Sequence, residues 1–241
     1  MNDDRIADVY EGRHGTPQTQ QHARERIHWM CRNVAGTDVL DLGCSQGIAA
    51  LLLAREGKRV IGVDREARAI AQAVEALGAE EAPVRERASF FTGEGAALDL
   101  ADDSFDTVLL GELLEHLVDP GAVLDEVRRV LRPSGRIVVT TPYGLFPYPD
   151  HKDPLYLGHV LELLQPRFAI DEVELLSRYL AIVGHVAAKR TAAPANVLSQ
   201  ALGVADRRLT EQDRRVEQQK QRIDALQSEL RESREVERAA E

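Results

Sequence analysis

The stretch that decides the fold runs from residue 38 to residue 64 and reads DVLDLGCSQGIAALLLAREGKRVIGVD. Its two short apolar segments, at 38–42 and 59–63, predict buried parallel strands. The residues between them predict a helix over 47–56. A strand, a helix and a second strand in this order indicate a β/α unit of a mainly parallel sheet.

The turn after the first strand carries the features of a ligand site. Gly43 and Gly47 permit a tight turn at which backbone amides can approach a ligand. Asp64 ends the second strand about 20 residues after the turn, where a β/α fold places a carboxylate on the two hydroxyls of a ribose. The stretch therefore predicts a site for a nucleoside cofactor.

The chemistry of the turn distinguishes between two kinds of cofactor. A dinucleotide enzyme such as a nicotinamide dehydrogenase would share Asp64, but it needs G-x-G-x-x-G to seat a pyrophosphate at a helix N-terminus. This chain has Asp41-x-Gly43-x-x-x-Gly47 instead, and the acid would repel a pyrophosphate. An acid suits a cofactor with a positive end, such as the ammonium and sulfonium of S-adenosylmethionine.

Further motifs follow in order along the chain. They are the acid Asp64, the segment SFDTVLL at 104–110, the run ELLEHLVDP at 112–120 and LRPSGR at 131–136. With them the sequence resembles the class I S-adenosylmethionine-dependent methyltransferases, from about residue 39 to residue 190. It departs from the family at Ser45, where a middle glycine is usual, and we expect a small serine to fit.

The resemblance implies a set of cofactor-binding residues. The predicted set is Asp41, Gly43, Ser45 and Gly47 at the methionine end, Asp64 and Arg65 at the ribose, Glu94 and Gly95 at the adenine, and Leu110 at the end of the fourth strand. Tyr10 and Arg13 are candidates for closing over the cofactor's carboxylate, since arginine matches a carboxylate bidentately. Two alternatives stay open: Glu94 as a solvated loop residue, and an amino-terminal arm that is disordered.

The candidate catalytic residues are less sharply marked. His116 lies in a segment that the resemblance places near the methyl group, but a histidine held by backbone bonds would look the same. His151 and Asp153 lie in the segment after the fifth strand, together with His159. They could deprotonate an acceptor hydroxyl, with His151 the first candidate, or they could bind a metal or stabilise the loop. No spacing demands a metal, and none is predicted.

The composition narrows the class of partner. The chain has 241 residues, of which thirty are basic and forty are acidic, so its net charge is -10. A negative protein is a poor binder of the phosphate backbone, which argues against nucleic acid as the main partner. Cys31 and Cys44 offer no disulfide framework. No apolar run is long enough to span a membrane or act as a signal peptide, so the cytoplasm is the expected compartment.

The pattern of elements predicts a doubly wound, mainly parallel α/β sheet of seven strands. The predicted strands are 38–42, 59–63, 87–91, 105–110, 136–141, 168–177 and 179–189, and the predicted helices are 18–33, 47–56, 66–77 and 119–131. The resemblance implies that the last strand is antiparallel. We divide the chain into a cap segment (1–36), a cofactor-binding domain (37–190), and a linker with a charged helix (191–241).

In the predicted carboxy-terminal helix, apolar residues fill one of the two core positions of a heptad repeat. Apolar residues recur every seven positions, at Leu202, Leu209, Val216, Ile223 and Leu230. A solvated single helix and a coiled coil fit about equally well, and the coiled coil would give a homo-oligomer or bind another partner. Because it runs to Glu241 without a capping residue, we expect either that the chain continues or that the helix spaces the domain from a partner.

The sequence predicts an enzyme that passes the methyl group of S-adenosylmethionine to an oxygen of a small metabolite or glycan. The alternative is a binding or assembly module that has lost catalysis and acts through its carboxy-terminal helix. Intact residues at Asp41, Gly43, Gly47 and Asp64 favour the enzyme.

Overall fold

The computed structural model describes residues 5–144, 152 and 155–187, and isolated positions between 197 and 222. The chain forms two compact units, Met1–Gln200 and Ala201–Glu241. In the second unit, the described positions are all helical, and the five heptad residues lie outside the described part. Among the described residues, no helix is long and apolar enough to cross a membrane.

The first unit contains seven strands and seven α-helices among its described residues. The strands are β1 Asp38–Leu42, β2 Arg59–Asp64, β3 Ala88–Thr92, β4 Phe105–Gly111, β5 Leu131–Pro142, β6 Phe168–Leu176 and β7 Tyr179–Val186. The helices are α1 Ile6–Tyr10, α2 Pro17–Arg32, α3 Ile48–Arg55, α4 Ala67–Gly78, α5 Ala82–Arg85, α6 Pro120–Val130 and α7 Leu157–Leu164.

The seven strands form one sheet in the order β3-β2-β1-β4-β5-β7-β6. The pairs among β1 to β5 are parallel, and β7 runs antiparallel to both β5 and β6. This order confirms the predicted fold class, including the antiparallel last strand. The carboxyl ends of β1 and β4, the two central strands, lie side by side, because Leu42 pairs with Leu110. Ligands of open α/β sheets bind at such an edge.

Two helices are preceded by residues that cap their amino-terminal ends. Thr16 precedes α2, and its hydroxyl accepts a hydrogen bond from the backbone N–H of Thr19. Asp119 does the same for α6 through Ala122. In both helices a proline occupies the first turn, where a backbone N–H would have no partner within the helix.

The opposite edge of the sheet is held together at Asp106. Its Oδ2 accepts hydrogen bonds from the backbone N–H groups of Thr37, at 2.7 Å, and Asp38, at 2.9 Å, and its Oδ1 pairs with Arg132. Burial alone would raise the pKa of this carboxyl, but these bonds lower it to about 2. The start of β1 is thereby tied to β4 and β5 at the end of the sheet remote from the predicted site.

The structure also contains elements that the sequence pattern did not predict. Helices α1, α5 and α7 are additional, and α7 has the apolar spacing of a helix at Leu157, Val160 and Leu164. Strand β5 begins at Leu131, five residues earlier than predicted, since Leu131 is extended and pairs with Phe105. Helix α6 accordingly ends at Val130.

Candidate functional site

The turn between β1 and α3 depends on glycine. Gly43 and Gly47 both have φ of +75°, a conformation that side chains rarely adopt. A Cβ at Gly47 would lie 2.6 Å from the Phe90 ring, and one at Gly43 would lie 3.0 Å from Leu113. Gly43 also donates its N–H to the carbonyl of Val63, at 2.8 Å. The turn is therefore held against the end of β2, and at Gly47 it has no room for a side chain.

Ser45 adopts a left-handed conformation, with φ of +47°. Its backbone N–H donates to Oδ2 of Asp64, at 2.8 Å. The hydroxyl is buried, and it has no hydrogen-bond partner among the described residues. Serine thus fits the turn, although the conformation costs a non-glycine residue about 1 to 2 kcal/mol.

Asp41, on β1 just before the turn, is a buried acid without a full set of partners. The residue is 4% exposed, and its Oδ2 has no hydrogen-bond partner among the described residues. Burial raises its pKa to about 7, and the negative charge of Asp64 contributes to the rise. Such a carboxyl is costly to ionise unless a positive group joins it.

Asp64 points its carboxylate at the turn. Oδ2 accepts from the N–H of Ser45, and Oδ1 accepts from the N–H of Glu66, at 2.9 Å. Each carboxylate oxygen can accept more than one hydrogen bond, so both keep capacity for a ligand. The neighbouring Arg65 is well exposed, and it lies 3.8 Å from the carboxylate of Glu66.

The loop after β3 lies beside the carboxyl ends of β1 and β2. Gly93 donates its N–H to the carbonyl of Asp64, at 3.0 Å. A Cβ at Gly95 would lie 3.6 Å from Leu42, at the end of β1. Glu94, between the two glycines, is exposed. Leu110 is fully buried in the core, so only its backbone is available to a ligand.

A buried charge cluster lies beyond the end of β4. Nη2 of Arg26, from α2, lies 2.7 Å from Oε2 of Glu112. Glu112 itself has φ of +53°, and its N–H donates to the carbonyl of Thr140. The guanidinium lies 5.3 Å from the ring centroid of Tyr179, over its face. Helix α2, strand β4 and strand β7 therefore meet at this cluster.

Glu115 is the second acid of the cluster and is more deeply buried. It belongs to a single 3-10 turn, Leu114–His116, and is 3% exposed. The hydroxyl of Thr141 donates to its Oε2, at 3.0 Å, while Oε1 has no partner among the described residues. Burial raises the pKa of Glu115 to about 8, and the charge of Glu112 adds to the rise. The carboxyl can therefore exchange a proton near neutral pH.

His116 lies next to Glu115, with its backbone N–H donated to the carbonyl of Leu113. Two other predicted catalytic residues, His151 and Asp153, fall outside the described residues. Lys152 is described, and its N–H donates to the carbonyl of Glu115, at 2.9 Å. Among the residues that the structure describes, no group of three or more His, Cys, Asp or Glu side chains could hold a metal ion.

Aromatic rings line the chain on either side of the segment 145–154. Tyr143 is buried and meets Tyr156 edge to face, with 6.1 Å between ring centroids. Tyr156 meets His159, on α7, in the same way and at the same distance. His159 is exposed, so the row runs from the core to the surface.

The amino-terminal segment contacts the turn, although its predicted ligand residues have other partners. The N–H of Ala7, on α1, donates to Oε1 of Gln46, at 2.9 Å. The Tyr10 hydroxyl lies 2.7 Å from Nε2 of His28, on α2. Arg13 pairs with Asp8 and Glu11 and is 60% exposed. Closure of Tyr10 and Arg13 over a cofactor stays a prediction.

Four residues of the cluster were absent from the predicted site: Arg26, Glu112, Glu115 and Tyr179. Arg26 could have been noticed, because it lies at helical spacing among the buried Ala23, Ile27 and Met30. A charged residue on an apolar helix face needs a buried partner. Nothing in the local sequence points to Tyr179, which reaches the cluster through the order of strands in the sheet.

Comparisons with known proteins identify relatives of this chain. Residues 40–139 match the family model of a methyltransferase domain. A probable S-adenosylmethionine-dependent methyltransferase of Mycolicibacterium smegmatis is 36% identical over 134 residues, which are 56% of this chain and 49% of that protein. A ubiquinone biosynthesis O-methyltransferase of Pseudomonas fluorescens is 33% identical over 118 residues, 48% of this chain and 50% of that protein. The chain thus spans about half the length of these curated relatives.

Solved structures share the fold. An S-adenosylmethionine-dependent methyltransferase from Methanosarcina mazei superposes with a TM-score of 0.55 at 23% identity, covering 64% of this chain and 95% of that one. A protein described as a sarcosine dimethylglycine methyltransferase of Galdieria sulphuraria has a TM-score of 0.63 at 14% identity, with 77% and 98% covered. The sequence matches and the sheet order together identify residues 40–139 as a methyltransferase domain of the class I S-adenosylmethionine-dependent type.

Proposed function

We propose that the protein transfers the methyl group of S-adenosylmethionine to an oxygen of a small metabolite or glycan. The match of residues 40–139 to a methyltransferase domain supports the coarse part of this function, a methyltransferase with that cofactor. Oxygen as the acceptor atom is supported by the P. fluorescens relative, which is named as an O-methyltransferase. Another relative, from Clavibacter sepedonicus, is named as a demethylmenaquinone methyltransferase, so the acceptor differs within the group.

The observation that carries the proposal is the unsatisfied carboxyl of Asp41. Its buried Oδ2 has no partner among the described residues, and burial holds the pKa near 7. The ammonium of the cofactor would supply both a positive charge and hydrogen-bond donors to this carboxyl. A pyrophosphate would supply the opposite charge, so the turn suits S-adenosylmethionine and not a dinucleotide.

The remaining cofactor-binding residues are proposed from the same edge of the sheet. Asp64 would accept hydrogen bonds from the ribose hydroxyls while keeping its bonds to the turn. Glu94 and Gly95, on the loop beside it, would meet the adenine. Glycines at the turn let the backbone approach the methionine end.

When bound, S-adenosylmethionine supplies a methyl group on a sulfonium, which a nucleophile displaces in line. The protein's part is to hold the acceptor oxygen at attack distance and to remove its proton. We place the base near the 3-10 turn, and His151, Asp153 and His116 remain the candidates from the sequence. Lys152, a described residue of the segment 145–154, donates its backbone N–H to the carbonyl of Glu115. Glu115 joins them as a buried carboxyl that titrates near neutrality.

Calorimetry with S-adenosylhomocysteine, followed by a labelled methyl-transfer screen, tests the proposal. We expect saturable binding, and methylation of one component among metabolite extracts and glycan fragments, with the product identified by mass spectrometry. Absence of binding at millimolar cofactor would contradict the cofactor assignment. Binding without any methylated product would instead favour the assembly module.

A further inference from the structure

Arg26 is a buried cation on the face of α2 that packs against the ends of β4 and β5. Only 3% of the residue is exposed. Besides the ion pair with Glu112, its Nη1 lies 3.5 Å from the hydroxyl of Thr140. Its Nε has no hydrogen-bond partner among the described residues. Removal of a guanidinium from water is costly, and one ion pair with a half-buried acid compensates only part of that cost.

The end of β4 is shaped to admit this side chain. A Cβ at Gly111 would lie 3.2 Å from Nη1 of Arg26 and 2.9 Å from the terminal methyl of Met30. A larger residue at Gly111 would press on both. The guanidinium therefore enters the edge of the sheet where the proposed cofactor and acceptor sites meet. Helix α2, which supplies it, lies outside the matched methyltransferase residues 40–139.

The surroundings of Arg26 are mostly acidic. Asp41, Glu112 and Glu115 all lie at this edge, and the positive charge of Arg26 opposes the rise that burial causes in the pKa of Asp41 and of Glu115. Burial also raises the pKa of Tyr179, and Arg26 opposes that rise too. The titratable or charged groups that act on one another here are Arg26, Cys31, Asp41, Asp64, Glu112, Glu115, Arg178 and Tyr179.

We propose that Arg26 is a positioning residue of the methyl-transfer site. Its guanidinium holds the Glu112 carboxylate at the end of β4, and its charge lets Asp41 meet the cofactor's ammonium as a carboxylate. The amino-terminal segment thereby contributes a charge to the site as well as covering it. This inference rests on the proposed function, because it takes the cofactor's ammonium as the partner of Asp41.

The test is the pH dependence of S-adenosylhomocysteine binding, measured by calorimetry between about pH 6 and 9. This probe has the ammonium but no methyl to transfer, so the readout is independent of catalysis. For the unchanged protein, we expect affinity to fall as the pH drops through the pKa of Asp41. In Arg26→Gln the lost cation should move that midpoint to higher pH and weaken binding at neutral pH about tenfold or more.

Two further variants make the result specific. Arg26→Lys keeps the charge, so its midpoint should stay close to that of the unchanged protein. Arg32→Gln removes an exposed arginine from the same helix and should leave binding unaltered. Circular dichroism reports whether each variant is folded. If Arg26→Gln does not fold, a folded Arg26→Lys with a midpoint displaced by more than about one pH unit contradicts the proposal.

The outcomes separate this inference from the proposed function. Failure of the unchanged protein to bind the probe at any pH would overturn the proposed function, and the role of Arg26 with it. Binding by the unchanged protein, with the same affinity and midpoint in folded Arg26→Gln, would overturn only the role of Arg26.

Discussion

At the scale of single residues, the site is defined by acids whose chemistry the surrounding backbone controls. Asp64 has its carboxylate oriented by two backbone N–H groups, and Asp41 is buried beside it without a full set of partners. The two acids differ because both oxygens of Asp64 accept a backbone N–H, whereas Oδ2 of Asp41 has no hydrogen-bond partner among the described residues. A cofactor with hydroxyls at one point and an ammonium at the other would satisfy both.

Replacement of Asp64 by alanine should weaken cofactor binding strongly. The change removes charge-assisted hydrogen bonds to the ribose, each worth about 1.5 to 3 kcal/mol. It also removes the bond to Ser45, so part of the loss will come from a less ordered turn. Calorimetry with S-adenosylhomocysteine measures the effect. Glu75→Ala, which removes an exposed acid from α4, is the control, and equal affinity in the two folded variants would contradict the assignment.

The raised pKa of Glu115 should appear in the stability of the ligand-free protein. Because the folded state holds this proton up to about pH 8, its stabilising effect is full below the unfolded pKa of about 4.3 and is lost as the pH rises towards 8. The loss is on the order of 1 kcal/mol per pH unit in that window. Glu115→Gln should flatten the decline, as measured by urea unfolding at several pH values. A decline of the same slope in the variant would rule the explanation out.

Single residues also show which parts of the candidate site can be predicted from the sequence. Asp41, Gly43, Gly47 and Asp64 were predicted as one site, because a motif keeps their spacing local. Arg26 was not predicted, since it lies on another element and becomes part of the site only when α2 packs against β4. Roles that depend on packing between distant segments leave little trace in local spacing.

At the scale of elements, the β1–α3 turn is the part that tolerates least change. Gly47→Ala should destabilise the protein more than Gly57→Ala does. Both glycines have positive φ, so both changes carry the conformational cost of about 1 to 2 kcal/mol. Only at Gly47 would the new Cβ meet the Phe90 ring, while nothing lies within 4 Å at Gly57.

The comparison of these two variants isolates the steric part of the cost. Thermal or urea unfolding gives the free energy of unfolding of each variant. The difference between the two values is the destabilisation caused by the contact with Phe90. Equal destabilisation by the two changes would show that the turn has room for a side chain. The proposed close approach of the backbone to the cofactor would then lose its support.

Helices and strands with a clear hydrophobic pattern in the sequence were predicted well, and those without such a pattern were not. The central strands and α2, α3, α4 and α6 were predicted to within a few residues. The strands are short, nearly continuous apolar runs, and the helices carry an apolar face. The early start of β5 was missed, since the pairing of Leu131 with Phe105 is a tertiary interaction that overrides a turn-like Pro-Ser-Gly sequence. Helix α7 was missed because it is only eight residues long and follows a stretch rich in prolines and aromatic residues.

At the scale of the whole molecule, the second compact unit, Ala201–Glu241, is the part whose function is least defined, and we call it the tail. The first compact unit runs to Gln200, where Val197 is buried and the Gln200 side chain accepts a hydrogen bond from the N–H of Val173. The division at residue 190 stays a prediction. A truncation that tests the tail should therefore end after Gln200. The heptad pattern from Leu202 to Leu230 remains the reason to expect self-association.

Deletion of residues 201–241 should abolish any dimer and preserve cofactor binding. The first unit keeps its whole sheet in such a variant, so the turn and Asp64 stay in place. Light scattering at high protein concentration measures the mass of the full chain and of the shortened one. Monomers in both, or the same dimer in both, would show that the tail does not drive association.

The claim on which the account depends is methyl transfer from S-adenosylmethionine, and the most direct measurement follows the methyl group itself. The full chain is incubated with methyl-deuterated S-adenosylmethionine and fractionated metabolite and glycan extracts, and mass spectrometry follows products and S-adenosylhomocysteine together. We expect one component to gain a labelled methyl group on oxygen, matched by an equal amount of S-adenosylhomocysteine and lost in Asp64→Ala. A protein that binds the cofactor but produces neither in any fraction would contradict the account.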